Sequence, residues 1–291
     1  VFSCVGCSED SSVEDNGEYE TSTTQEARSQ EVESSPVTTP SSAVRGLSIS
    51  VDNKTGLLNI SRMTPEVVGE IGDSGVWTIF VYMCGTDLET NCGMGTGDIA
   101  EMCAASDSDN VRFVVETGGT YEWQNSAVES ESIQRFVVQH GAIEAVDEQL
   151  RTSMGSSSTL SDFLLWGVEN YASEHMGVVL WDHGGGSVTG ICFDERENYD
   201  SLSLAELDEA LYTYYEQRGR RFDFIGFDAC LMGTVETANI LATYADYMYG
   251  SEETEPGSGW DYTAIGDFLA SNPDADGLML GKVVCDSFLA A

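Results

Sequence analysis

The chain has 291 residues, 41% of them hydrophobic, which is enough for one large core domain with flanking segments or for two small domains. Its 12 Lys and Arg stand against 50 Asp and Glu, and the formal charge of -38 repels phosphate backbones and anionic lipid headgroups, so charge-driven binding to nucleic acid or to a membrane surface is excluded. No run approaches the roughly 18 apolar residues of a membrane helix; the same field favours cationic ligands, basic peptides or divalent metal ions, although most of these carboxylates serve as solvated surface.

The chain opens at Val1, not Met, which implies that something upstream has been removed. The opening VFSCVGCSED resembles the residues around the lipidated cysteine of a bacterial lipoprotein, without the apolar stretch that should precede it. On that reading Cys4 or Cys7 carries the lipid and the protein is bacterial and extracellular or at the cell surface. Residues 1–46 are rich in Ser, Thr and Glu and almost free of apolar periodicity. Such a segment buries too little surface to offset its ordering entropy, so it reads as a disordered acidic tether. Within residues 47–75, LSISVDNKTGLLNISR places two alternating segments around a turn at Asp52 to Gly56, the pattern of a β-hairpin, as a pro-segment or as an edge of the main sheet.

From residue 76 to 291 short apolar strands (WTIFVYMCG, NVRFVVETGG, MGVVLWDHGG, FDFIGFDACLM, ADYMYGSEE) are separated mostly by helix-length segments. Strands apolar on both sides belong inside a sheet covered by helices, so the expected architecture is an α/β layer sandwich with a largely parallel sheet. SESIQRFVVQHGAIEAVDEQ breaks the rhythm as a β-hairpin turning at QHG. Helices are predicted from Leu160 through YASEH, over SLAELDEALYTYYEQRG and over GTVETANILATYA, the first two with a Ser N-cap and acidic residues in the early turns. CGMGTGD lacks the GxGxxG of a nucleotide loop. The eight cysteines form no paired CxxC zinc pattern, and most read as small core residues. No GxSxG or HExxH occurs, against serine hydrolase and zincin chemistry.

Sites in such sheets gather at the carboxyl ends of strands. Two ends carry reactive side chains: His183 closes GVVLWDH, and Cys230 closes FDFIGFDAC, 47 residues later. A thiol needs a nearby imidazole to become a nucleophile at neutral pH. The glycines after His183 leave a bare backbone, so that the Gly184 N–H, with that of Cys230, can form an oxyanion hole.

YMCGTDLE, DIAEM, VVLWDHGGG, FDFIGFDACLMGTVETA and SEETEPGSGWDY, in this order, resemble the clostripain family of cysteine peptidases, relatives of caspases, gingipains and legumain, over roughly residues 76–265. The resemblance implies a caspase-like three-layer α/β sandwich with a mostly parallel central sheet flanked by helices. It implies Cys230 as nucleophile, His183 as the acid/base that protonates the leaving amine, and Asp228 as the acid at the base of the S1 pocket, which pairs with Arg or Lys at P1. Strand alternation points residues 228 and 230 to one face; the structural alternative for Asp228 is a carboxylate that accepts backbone N–H groups in the strand-to-helix turn. Glu253, Thr254 and Glu255 are placed at the pocket mouth.

The resemblance further implies a zymogen cut between His183 and Cys230, and Arg196 in CFDERENYDSLS stands in a polar stretch where a chain can open, giving two chains that stay associated. Family members continue beyond a point such as VVCDSFLAA, so a further strand is expected after residue 291. Calcium dependence occurs in the family, and the acidic composition permits it, but the chemistry requires no cofactor and no EF-hand spacing is present. The partners implied are proteins or peptides with Arg or Lys. Two other readings stand beside this one: a non-catalytic surface binding module of the same fold, and a peptidase with a different P1 preference.

Overall fold

A computed structural model of the chain describes residues 47–51, 54–55, 58–62, 72–105 and 107–289. The 1–46 tether, with Cys4 and Cys7, lies outside them. In chain order, Leu47–Val51 (β1) pairs antiparallel with Leu58–Arg62 (β2) as a separate two-stranded sheet. Asp73–Cys84 (β3) is followed by helices Thr86–Cys92 (α1) and Met94–Ala104 (α2), then by strands Val111–Gly118 (β4), Ser132–Gln139 (β5) and Ala142–Leu150 (β6). Helix Ser157–Tyr171 (α3) leads into Ser173–Trp181 (β7), the short turn Gly186–Thr189 (α4) and the pair Ile191–Asp194 (β8) and Asp200–Leu202 (β9). Then come Leu204–Arg218 (α5), Phe222–Asp228 (β10), Val235–Leu241 (α6), Ala245–Tyr249 (β11), Tyr262–Ser271 (α7) and Gly277–Phe288 (α8).

Seven strands form the central sheet in the order β11-β10-β7-β3-β4-β5-β6. The first five are parallel, and β5 and β6 add an antiparallel hairpin at one edge. Its turn is the expected QHG: His140 and Gly141 both have positive φ (52° and 70°), the two-residue geometry whose twist matches that of the strands. The continuous apolar runs have the anticipated cause. Along β3, Phe80 and Tyr82 enter a core with Phe163 of α3 and Leu207 and Tyr214 of α5. The alternate residues Ile79 and Val81 enter a second core with Ile99 of α2 and Ile265 and Leu269 of α7. Each such side chain, removed from water, contributes roughly 1.5–3 kcal/mol, and the two cores make a three-layer sandwich.

Helix α5 carries the full capping box, with Ser203 accepting from the Glu206 N–H and Glu206 reaching back to the Ser203 N–H. Helix α3 departs from expectation at both ends. Ser156 occupies the N-cap, but its hydroxyl faces Ser158 Oγ (2.9 Å) and caps no N–H, and the first turn has no acid. The helix stops at Tyr171 because β3 takes its last carbonyls: Thr78 Oγ1 donates to Tyr171 O (3.0 Å) and Asp73 N to Ala172 O (3.1 Å). The SEH segment therefore belongs to β7. CGMGTGD holds the junction between α1 and α2, with Gly93 left-handed between them and Met94 to Asp98 already in the first turns of α2.

Cys84 and Cys192 are buried free thiols as anticipated, whereas Cys285 is exposed on α8 and Cys92 and Cys230 are disulfide-bonded. Helix α8 closes at Phe288.

The chain runs outward from β3 to β6, returns to place β7 on the other flank of β3, and runs outward again to β11. The order reverses between β3 and β7, and ligands of open α/β sheets bind in the crevice at the carboxyl ends beside such a reversal.

Candidate active site

Parallel register sets Trp181 of β7 beside Asp228 of β10, and just past the strand end the Asp182 N–H donates to Asp228 O (3.3 Å). The next residues, His183 and Cys230, therefore leave neighbouring tips of one sheet. Gly184 makes that approach feasible: a Cβ there would lie 2.0 Å from the Cys230 carbonyl oxygen. His183, Asp228, Cys230 and Glu255 line one cavity with Leu88 and Trp181. The cavity measures about 30 Å³, room for about two waters. Cys230 is only 5% exposed but stands on the cavity wall, and its sulfur accepts the Glu255 N–H (3.2 Å).

Acids dominate the floor. Asp228 is buried, and its Oδ2 accepts the Tyr262 hydroxyl (2.9 Å) and the Trp260 N–H (3.3 Å). Its backbone donor thus comes from a distant loop, not from the turn after β10. Behind it, the buried Asp98 accepts the Trp181 indole N–H (2.6 Å). Burial pushes both carboxyls up, helped at Asp98 by the charge of Asp228 and opposed at Asp228 by the Tyr262 and Trp260 hydrogen bonds. Glu255 Oε2 is buried without a hydrogen-bond partner, and burial together with Asp228 pushes its carboxyl to about 8. Among the described residues no ion pair reaches Asp98, Glu101, Asp228 or Glu255.

Three expected site residues fall elsewhere or sit differently. Glu253 and Thr254 are exposed and take no part in the cavity wall. Their loop is fastened by its backbone, with Leu231 N donating to Glu253 O (3.0 Å) and Glu255 N to Cys230, and only the Glu255 side chain turns inward. Arg196 lies in an ordered 3₁₀ turn, Glu195–Glu197, capped by Asp194. Its guanidinium donates to Ser130 O (2.6 Å), pairs with Glu131 (3.0 Å) and lies 5.7 Å over the Tyr121 ring, so the segment is not an open loop.

Asp87 escaped the sequence reading. In the first turn of α1, its Oδ1 accepts from His183 Nε2 (2.9 Å). That hydrogen bond, with the imidazole's charge, holds the Asp87 carboxyl below its usual range despite partial burial. Burial works to lower His183, but the hydrogen bond to Asp87 and the charges of Asp182 and Asp87 outweigh it, and the imidazole lies above its ordinary value. Asp182 is itself buried, which pushes it to about 7, and it accepts the Phe193 N–H (2.5 Å). No three His, Cys, Asp or Glu residues among those described are grouped to hold a metal ion. An imidazole, a sulfur and a carboxylate floor on one cavity suit acyl transfer.

The family model of the clostripain family matches residues 81–291. Clostripain of Hathewaya histolytica is 27% identical over 150 residues, which is 44% of this chain and 28% of the relative. A secreted C11 cysteine protease from Bacteroides thetaiotaomicron, solved with an irreversible peptide inhibitor, superposes with a TM-score of 0.58 at 20% identity, covering 74% of this chain and 58% of that one. An inactive zymogen C11 protease from Parabacteroides distasonis gives 0.56 at 20% identity, covering 77% and 61%. The chain thus spans under a third of the curated relative and about three fifths of these structures. At these identities the superpositions establish the shared fold, the caspase-like sandwich expected from the sequence.

Proposed function

This chain belongs to the clostripain family, and from that premise we propose that it is a cysteine endopeptidase cleaving after Arg or Lys. Reduced Cys230 attacks the scissile carbonyl, the N–H groups of Gly184 and Cys230 hold the resulting oxyanion, and His183 protonates the leaving amine before water releases the acyl group. The observation that carries the basic preference is the pair of buried carboxyls, Asp228 and Glu255, on the wall shared with His183 and Cys230, with no cation among the described residues paired to them. A P1 guanidinium supplies that cation and can bind Asp228 bidentately. An acidic P1 residue would be repelled, which disfavours Asp specificity.

Activation fits a cut after Arg196, between His183 and Cys230. Arg196 must first leave Tyr121 and Glu131, and the β8–β9 pairing keeps both new ends attached to one body. Extracellular or surface location, with a lipid on Cys4 or Cys7, completes the reading; among the described residues no helix is long and apolar enough to cross a membrane.

The test uses reduced protein and fluorogenic peptides ending in Arg, Lys, Asp or Asn, with labelling by an Arg-bearing chloromethyl ketone. Turnover of Arg or Lys peptides alone, one label at Cys230 and slow labelling of His183→Ala are expected. Preference for Asp or Asn, or labelling undiminished in Cys230→Ala, refutes the proposal. N-terminal sequencing should find a new end at Glu197 in wild type and none in Cys230→Ala.

A further inference from the structure

We propose that Asp87 is a positioning residue for His183, so that the reacting pair is completed by a third side chain from the far side of the crevice. This rests on the reading of His183 as the acid/base. The hydrogen bond at 2.9 Å engages Nε2, which leaves Nδ1 as the ring nitrogen that meets the sulfur and the leaving amine. A carboxylate on Nε2 keeps the proton of the neutral ring there, directs the Nδ1 lone pair into the cavity, and stabilises the imidazolium formed during the reaction.

The support for Asp87 is built into the fold. Thr86, one residue earlier, has φ 47°, a left-handed conformation unfavourable for a β-branched residue. Its hydroxyl lies 2.5 Å from Asp182 Oδ1 and 2.9 Å from Phe193 O, contacts that hold it there. Two consecutive residues of α1 therefore grip two consecutive residues at the tip of β7: Thr86 on Asp182, and Asp87 on His183. The helix is fixed at its other side by the buried Glu89, which accepts from the N–H groups of Thr96 (2.8 Å) and Gln124 (2.5 Å). Asp87 thus has a rigid base from which to aim the imidazole.

The other ionisable groups around the ring are Asp182 on its own strand tip, Asp228 and Cys230 from β10, Glu255 across the cavity, and Tyr199, whose phenol feels the charge of Asp87. The hydrogen bond at Nε2 goes to Asp87, so removal of the Asp87 charge should act on His183 directly.

The experiment compares Asp87→Asn, Asp87→Ala and Asp87→Glu with wild type, after thermal melts confirm folding. NMR titration of the His183 ring, assigned with His183→Ala, needs no activity; the imidazole pKa should fall by about one unit in the Asn and Ala variants and recover in Glu. On an Arg peptide, kcat should fall on the order of 10- to 100-fold with KM nearly unchanged, and Glu should recover part of it. An unshifted ring titration with kcat within twofold of wild type overturns the proposal. If wild type cleaves no peptide, the peptidase reading fails separately, and the ring titration still decides whether Asp87 governs His183.

Discussion

Two groups of buried acids lie at different places in the sheet, and the chain treats them differently. In one, Glu116 of β4 is fully buried beside Arg135 of β5 (2.7 Å), whose guanidinium also pairs with Asp147 (3.1 Å) and Asp162 (2.6 Å) and lies 4.7 Å over the Trp166 ring. In the other, Asp228 and Glu255 line the crevice and Asp98 lies behind them, with no cation from the described residues. Burying a carboxylate without a counter-charge is costly. Among the described residues Arg135 serves the first group and no cation serves the second, which on the proposed reading is left for the substrate's cation. Even beside Arg135 the cost is visible: Glu116 Oε1 has no hydrogen-bond partner, and burial outweighs the pull of the guanidinium and pushes the carboxyl to about 8.

The largest effect should follow from removing the internal cation. Arg135→Met leaves the buried Glu116 without its cation and should lower unfolding stability by about 3–5 kcal/mol in urea titration. A loss under about 1 kcal/mol would reduce the network to surface decoration. The complementary change is Asp228→Asn. It should lower kcat/KM for Arg peptides on the order of 100-fold, the loss expected when one partner of a buried charge pair is truncated, while the melting temperature stays level or rises because an unneutralised acid has gone. Opposite signs on stability at the two places are the sharpest form of the contrast; a clear loss in Asp228→Asn would erase it.

The two groups were not equally legible. His183 and Cys230 end apolar runs that could only be inner strands, so their meeting follows from β7 and β10 being neighbours. Asp228 was reachable through the family resemblance, which strand alternation only supported. Asp87 was not, since an acid in the first turn of a helix normally signals only a helix start. Its partnership depends on β3 lying beside β7, a fact of topology that no local pattern carries. Nor could composition choose Glu255 over Glu253 and Thr254, because backbone bonds to Leu231 and Cys230 decide which side chain turns inward. Arg135 carries no local signal of burial; it is buried because α3 brings Asp162 and Trp166 over that face of the hairpin.

The smallest predicted effect separates the groups by pH. Glu116 and Glu255 both titrate near 8 when folded, against about 4.3 for an unfolded Glu. A raised folded value means that the native state binds more protons than the unfolded chain between those limits. The stability contributed by each is full below pH 4 and is lost as pH rises through about 8. A small amidinium ligand such as benzamidine, which should sit against Asp228 and Glu255, favours their ionised forms, so its thermal shift should grow from pH 6 to pH 9. Glu255→Gln should flatten that growth. Glu116→Gln should leave it intact while it removes part of the alkaline loss in the unliganded protein, because Arg135 and not the ligand faces Glu116. If both substitutions changed the ligand's pH dependence alike, the two acidic groups would be one coupled system, and the crevice acids could no longer be assigned to substrate alone.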